Sequence, residues 1–181
     1  MSTPDQLKQD IDQGLAVDAD QFLTFMLADE EYGVDILRVQ EIRGWGAVTT
    51  IPNTPEYVEG VINLRGTIVP LINLRKRFDL ELIEHGPTTV VVVLKAYCGN
   101  RERTMGIVVD AVSEVHAVRE AEIKPAPEWS EVVNTNMLRG LATIGDKLII
   151  LVDVDRLLCM DELVAAEAND KHAQAVAEAS G

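Results

Sequence analysis

The sequence predicts a mainly β protein built from two small, similar barrels packed together. Three observations lead there. The stretch Glu59 to Phe78, EGVINLRGTIVPLINLRKRF, reads as a β-hairpin. Val61-Ile62 and Ile68 to Ile72 form its arms and Leu64-Arg65-Gly66 its turn, where β-branched residues favour strands and a glycine supplies the positive φ of a tight reversal. Arg139 to Leu158, RGLATIGDKLIILVDVDRLL, then repeats that hairpin without a gap. Gly60 falls on Gly140, Arg65-Gly66 on Gly145-Asp146, Leu71-Ile72 on Leu151-Val152 and Asn73 on Asp153. Finally, the blocks upstream repeat as well: Tyr32 to Asp35 followed by Val39 to Ile42 is echoed by Gly106 to Asp110 followed by Val112 to Val115. Two copies at so long a period make homologous small domains rather than a solenoid. Each half, about 70 residues, is marginal alone, so the halves are expected to share an apolar interface and unfold together.

In order along the chain, residues 1–20 are aspartate-rich and read as a tail. Gln21 to Leu27 is the first strand and Tyr32 to Leu37 the second. Apolar Ile36, Val39 and Ile42 then run past regular alternation, which predicts a bend or bulge near Arg38. Gly44 to Gly46 is a loop and Ala47 to Ile51 a short strand. Thr54 followed by Pro55 and Glu56 has the chemistry of a helix start. In the hairpin, Pro70 cannot donate a ladder hydrogen bond, which places that arm at an edge or a bulge. Leu80 to Pro87 connects the halves. Val90 to Leu94 is apolar throughout, as expected of a strand buried on both faces. Gly99 to Arg103 reads as a turn, Met105 to Val115 as the return strand, Ile123 to Trp129 as a proline-stiffened crossing and Glu131 to Arg139 as holding a helical turn. Asp161 to about Ala168 is Ala-rich and favours helix, with a fraying tail beyond.

Charge narrows the partners. The formal net charge is −14, and five aspartates stand against Lys8 within the first twenty residues. An acidic chain repels polyphosphate, and stacking aromatics are scarce, so nucleic acid and anionic membranes are disfavoured. Cys98 and Cys159 are far apart and lack C-x-x-C spacing, which argues against a disulfide scaffold or zinc ribbon and fits a reducing cytoplasm. No basic-then-apolar leader and no membrane-length apolar run is seen. His85, His116 and His172 are scattered, Gly44-x-Gly46 lacks the rest of a dinucleotide fingerprint, and Asp153-Val154-Asp155 lacks further oxygen ligands for a metal. A catalytic reading therefore has little to stand on, a small hydrolase included. What remains is surface: Arg65 at a hairpin tip, Glu41 and Arg43 after an apolar strand, and Val39, Val112 and Val115 beside charge, around the groove that two packed barrels leave.

These residues resemble a known family. EEYGVDILRVQEIRG at Glu30 to Gly44, NLRG-x-IVP-x-x-NLR at Asn63 to Arg75, GIVVDAVSEV at Gly106 to Val115 and PAPE at Pro125 to Glu128 are similar, in order, to the CheW family of chemotaxis coupling proteins. The resemblance implies two SH3-like five-stranded β-barrel subdomains with short helical turns and a C-terminal helix, divided as 21–86 and 87–160, between acidic segments 1–20 and 161–181. It implies a cytoplasmic adaptor, monomeric when alone and without cofactor or catalysis. Such a protein couples the hairpin tips of chemoreceptors to the regulatory domain of the histidine kinase CheA in membrane-associated arrays. The positions matching the family's binding surface are Val39, Glu41, Gly60, Arg65, Val90, Val112, Val115 and Gly140. Arg65 and Glu41 are expected to pair at the mouth of the groove. An adaptor for another kinase-linked pathway is the alternative reading.

Overall fold

A computed structural model describes residues 19–126 and 135–159. The first half of the chain contributes β1 (Ala19–Leu27), β2 (Glu30–Asp35), β3 (Val39–Gly44), β4 (Val58–Leu64), β5 (Thr67–Asn73) and the short helix α1 (Leu74–Arg77). The second half contributes β6 (Val90–Cys98), β7 (Arg101–Val109), β8 (Ala111–Arg119), β9 (Leu138–Ile144), β10 (Lys147–Val152) and α2 (Val154–Leu158). In sequence order β1 to β5 correspond to β6 to β10, as the repeat predicts.

The strands do not stay within their own halves. One five-stranded sheet runs β8-β1-β2-β10-β9 and the other β3-β6-β7-β5-β4. The first two strands of each half thus pair with the last three of the other, and the expected division at 86/87 does not coincide with either sheet. The exchange obeys the internal symmetry. β2 pairs in parallel with β10 at Gly33 and Leu151, and β7 pairs in parallel with β5 at the equivalent Gly106 and Leu71. The paired strands pack closely there: a Cβ would meet a leucine Cδ2, at 3.0 Å for Gly33 and 2.5 Å for Gly106, so the leucine would have to shift.

Burial follows from the alternation of strand side chains. Val91 and Val93 face the interior of one barrel with Val69, Leu71 and Val108, while Val92 and Leu94 face the other way. The five-residue apolar run is therefore buried on both faces, as its sequence implied. A second small core, around Phe22, Val118, Ala142, Ile149 and Leu151, fills the other barrel. The largest cluster, nineteen buried residues including Phe25, Ile72, Ile107 and Leu157, lies between the sheets. Since burial scales with the apolar area removed from water, most of the hydrophobic stabilisation joins the barrels rather than filling them.

Several local expectations change. Ala47 to Ile51 is no strand; a single bridge joins Thr49 to Val61. The Thr54-Pro55 helix is a turn, because the Thr54 hydroxyl donates back to the Ile51 carbonyl instead of capping a helix. Pro70 sits in an inner strand; the β5–β7 ladder begins one residue later, at Leu71, so the missing N–H costs no bond on that side. Met105 to Val115 is two strands of different sheets, broken at Asp110, and the polar turn before it shrinks to Gly99-Asn100. The bend near Arg38 is a 3-10 turn, Ile36–Arg38, followed by a register shift between Val39 and Glu41. The expected helical turn before β9 is a 3-10 turn, Thr135–Met137. Cys98 and Cys159, read as unpaired, form a disulfide, because α2 folds back onto β6 and brings their Cα atoms to 5.3 Å. The tail 1–18, the crossing at 127–134 and the C-terminal segment from 160 lie outside the described residues.

Candidate functional site

The organising hairpin forms as its sequence requires. β4 and β5 are joined by Arg65 and Gly66 alone, with φ of 52° and 88°, so both turn residues are left-handed as in a type I′ reversal. The Asn63 side chain accepts from the Gly66 N–H and holds the tip. Arg65 therefore projects from a rigid end, with its side chain 82% exposed. β3 carries Glu41 to the same place, and Arg65 Nη2 lies 3.4 Å from Glu41 Oε2. Arg43 Nε approaches the other Glu41 oxygen at 3.9 Å. The expected Arg65–Glu41 pair is thus formed, and it ties the β4–β5 tip to edge strand β3.

Val39, Val90 and Val112 are half-buried, and all three pack against the cluster between the sheets. They come from β3, β6 and β8, and so line the margin of the seam from both sheets. Val115 is about half exposed and stands off that cluster. Gly60 and Gly140 are buried. Each lies where the segment after an edge strand crosses back over a hairpin, bridged by Thr49 to Val61 and by Lys124 to Leu141. Their φ values are +150° and +159°, and a Cβ on either would run into the carbonyl oxygen of Thr49 or Lys124. The twin glycines close the two barrels.

Two ion pairs that sequence reading missed fix the places where the chain changes sheet. Arg38 makes a two-pronged contact with Asp155, at 2.8 and 2.9 Å, and Asp155 also accepts from the Tyr97 N–H. Arg75 grips Asp110 in the same way at 2.9 and 2.6 Å. Asp110 lies between β7 and β8 as Arg38 lies between β2 and β3, and Arg75 holds in α1 the place of Asp155 in α2, so the two clamps join corresponding segments with their charges reversed. The signal was present in the repeat, where Arg75 falls on Asp155. Hydrogen bonds from Arg75 hold the Asp110 carboxyl below its ordinary range, helped by the Ala28 N–H and opposed by burial. Asp153 accepts from the Arg156 N–H as the N-cap of α2, and Asn73 caps α1 equivalently. The Asp153-Asp155 couple is accordingly spent on capping and clamping. Among the described residues no cluster of three or more His, Cys, Asp or Glu could hold a metal, and no helix is long and apolar enough to cross a membrane.

A family model described as a CheW-like domain matches residues 21–162. The chain belongs to the CheW-like family. It is 46% identical over 147 residues to the chemotaxis protein CheW of Klebsiella aerogenes, an alignment covering 81% of this chain and 86% of the relative. The CheW of Rhizobium meliloti is 34% identical over 81% of this chain and 92% of its own length. Among solved structures, the scaffolding protein TtCheW of Thermoanaerobacter tengcongensis superposes with a TM-score of 0.71 at 34% identity, covering 80% of this chain and 90% of that one. The two five-stranded sheets are the two-barrel fold expected for this family.

Proposed function

We propose that this protein is a non-catalytic chemotaxis adaptor that couples the cytoplasmic hairpin tips of chemoreceptors to the histidine kinase CheA. The observation that carries the proposal is membership of the CheW-like family over the whole two-barrel region, with relatives named as chemotaxis proteins. The geometry supports it with a seam lined by Val39, Val90 and Val112 and with the charged Glu41–Arg65 pair beside β3. On this reading a receptor helical hairpin lies along the seam. Its buried apolar area supplies the affinity, and Arg65 and Glu41 set register and partner choice. Gly60 and Gly140 serve binding only by closing the barrels. A protein without a reaction transmits a signal through differential binding alone, so the coupling must appear as kinase activity that depends on its presence.

The test is reconstitution of a receptor signalling fragment with CheA, with and without this chain, following kinase autophosphorylation. Activity that rises with added chain supports the proposal, and activity indifferent to it sinks the reading. Within that assay, Arg65→Glu is expected to weaken receptor binding at least tenfold while leaving the thermal midpoint nearly unchanged, since the side chain is exposed. Retained binding, or a collapsed fold, removes Arg65 from the role.

A further inference from the structure

We propose that Cys98 and Cys159 are a reversible redox modification site, a disulfide that fastens the end of α2 to β6 across the junction of the two sheets. The pair closes a sequence separation of 61 residues between half-buried positions at the protein surface. β6 belongs to one sheet, while α2 follows β10 of the other, so the bond spans the sheets. The equivalent corner of the first half is fastened without chemistry: Phe78, which follows α1, stacks on Tyr32 at 5.7 Å, and Tyr32 on Phe25 at 5.9 Å. The position matching Phe78 is the aliphatic Leu158. The second corner thus adds a disulfide to its Asp155 clamp where the first adds aromatic packing.

The surroundings favour exchange over a permanent staple. Arg101 is the cross-strand partner of Cys98 at the Gly99-Asn100 turn, and a guanidinium that reaches a thiol favours the thiolate that attacks a disulfide. Accessible disulfides are the ones that thiols reach and reduce. The chemistry balances against a small-molecule disulfide such as oxidised glutathione. The Cys98 thiolate attacks one glutathione sulfur and expels a glutathione thiolate. The Cys159 thiolate then attacks the mixed disulfide at the Cys98 sulfur and expels the second. Two protein thiols are oxidised by two electrons, one glutathione disulfide is reduced to two thiols, and the two protons pass to the leaving thiolates. Opening the bond frees the end of α2 beside Asp155, which also holds Arg38 and the Tyr97 N–H, so the corner from 95 to 98 and from 154 to 158 loosens together.

The full chain would be equilibrated in buffers of graded reduced-to-oxidised glutathione ratio, quenched in acid, alkylated with iodoacetamide and weighed. We expect both thiols to disappear together in one two-electron transition, with no lasting glutathione adduct. Two alkylated thiols under excess oxidised glutathione, or separate stable adducts on the two cysteines, would overturn the proposal. Hydrogen exchange then reads the consequence. On reduction, amides of 95–98 and 154–158 should exchange at least tenfold faster while β1 and β5 keep their protection. Exchange unchanged by reduction refutes the fastening role, and uniform loss of protection across both sheets refutes a local one. Cys98→Ser/Cys159→Ser should show the reduced pattern and ignore dithiothreitol; should that variant fold poorly, reduced and alkylated wild type replaces it. None of these readouts involves a receptor or a kinase, so they stand or fall apart from the adaptor reading.

Discussion

Replacing Gly60 by alanine tests whether that glycine closes a barrel or touches a partner. At φ +150° an L side chain is strained, and a left-handed backbone costs about 1–2 kcal/mol outside glycine. The new methyl also overlaps the Thr49 carbonyl oxygen and approaches Val48 Cγ1. Backbone cannot swing aside as a side chain does, and overpacking of this kind costs about 1–3 kcal/mol. Relief by moving the crossing segment breaks the two bonds between Thr49 and Val61, at 3.0 and 2.8 Å, each worth about 1 kcal/mol. Strain together with either route gives a loss of about 2–5 kcal/mol. Gly66→Ala is the control: its φ of +88° is also strained, but a Cβ there meets nothing within 4 Å, so about 1–2 kcal/mol is expected. Urea unfolding followed by circular dichroism measures both, and Gly60→Ala should exceed the control by about 1–3 kcal/mol, the overpacking term alone. Equal losses would refute the closure argument. A Gly60→Ala protein of wild-type stability that no longer binds a receptor fragment would show instead that the glycine is a contact. Gly140→Ala, facing Lys124 in the other barrel, should behave as Gly60→Ala does.

Other outcomes follow from the same structure. Asp110→Asn should cost on the order of 2 kcal/mol at neutral pH, because it strips the well-buried Arg75 of its ionic partner. The Asp110 carboxyl titrates lower folded than its ordinary value of 3.8, so its contribution is present above that value and is lost as pH falls through the depressed folded pKa. Urea midpoints of wild type and Asp110→Asn should therefore converge only in strong acid; a constant gap from pH 7 to pH 2 would contradict this. Calorimetry should give one transition whose van't Hoff and calorimetric enthalpies agree, because the main cluster belongs to both sheets; two resolved transitions would disprove the shared core. A double-mutant cycle of Glu41→Gln and Arg65→Gln should show coupling below about 0.5 kcal/mol in stability, because Arg65 is exposed and the contact is a long 3.4 Å. A larger value would assign the pair to the fold rather than to recognition.

Much of the architecture was legible because the repeat acts at two levels. The hairpin register placed both turns and set Gly60 on Gly140 and Asn73 on Asp153, and the unbroken apolar run at Val90 to Leu94 gave a strand buried on both faces. The exchange of strands between sheets was not legible. Pairing β2 with β10 and β7 with β5 satisfies the same alternation as pairing within each half, so periodicity cannot tell them apart. The helix read at Thr54 failed because a threonine followed by proline also suits a turn, and the hydroxyl found the Ile51 carbonyl first. The disulfide was invisible for a related reason: sequence distance between Cys98 and Cys159 says nothing until α2 is known to return to β6. At the candidate site, Arg65 and Glu41 were readable as a pair. Gly60 and Gly140 matched the same surface, yet their buried positions show that a motif also carries residues whose work is to shape the backbone beneath.

The internal symmetry is nearly complete in the backbone and deliberately broken in the side chains. One hairpin tip presents Arg65, and its counterpart presents Asp146. Glu41 pairs with that arginine, whereas the matching Glu114 lies 3.4 Å from His116. One crossover is clamped by an arginine on an aspartate, the other by the same pair reversed, and one corner is held by rings, the other by sulfur. On the proposed adaptor reading, a bridging protein made by duplication must differ in this way. Identical halves would offer each partner both faces, and the partners would compete for sites that should be distinct. Because the backbone is held by glycines, caps and a common core, these differences can accumulate at the tips and edges at little cost to folding, and on the adaptor reading proposed above that is where the choice of partner would be encoded.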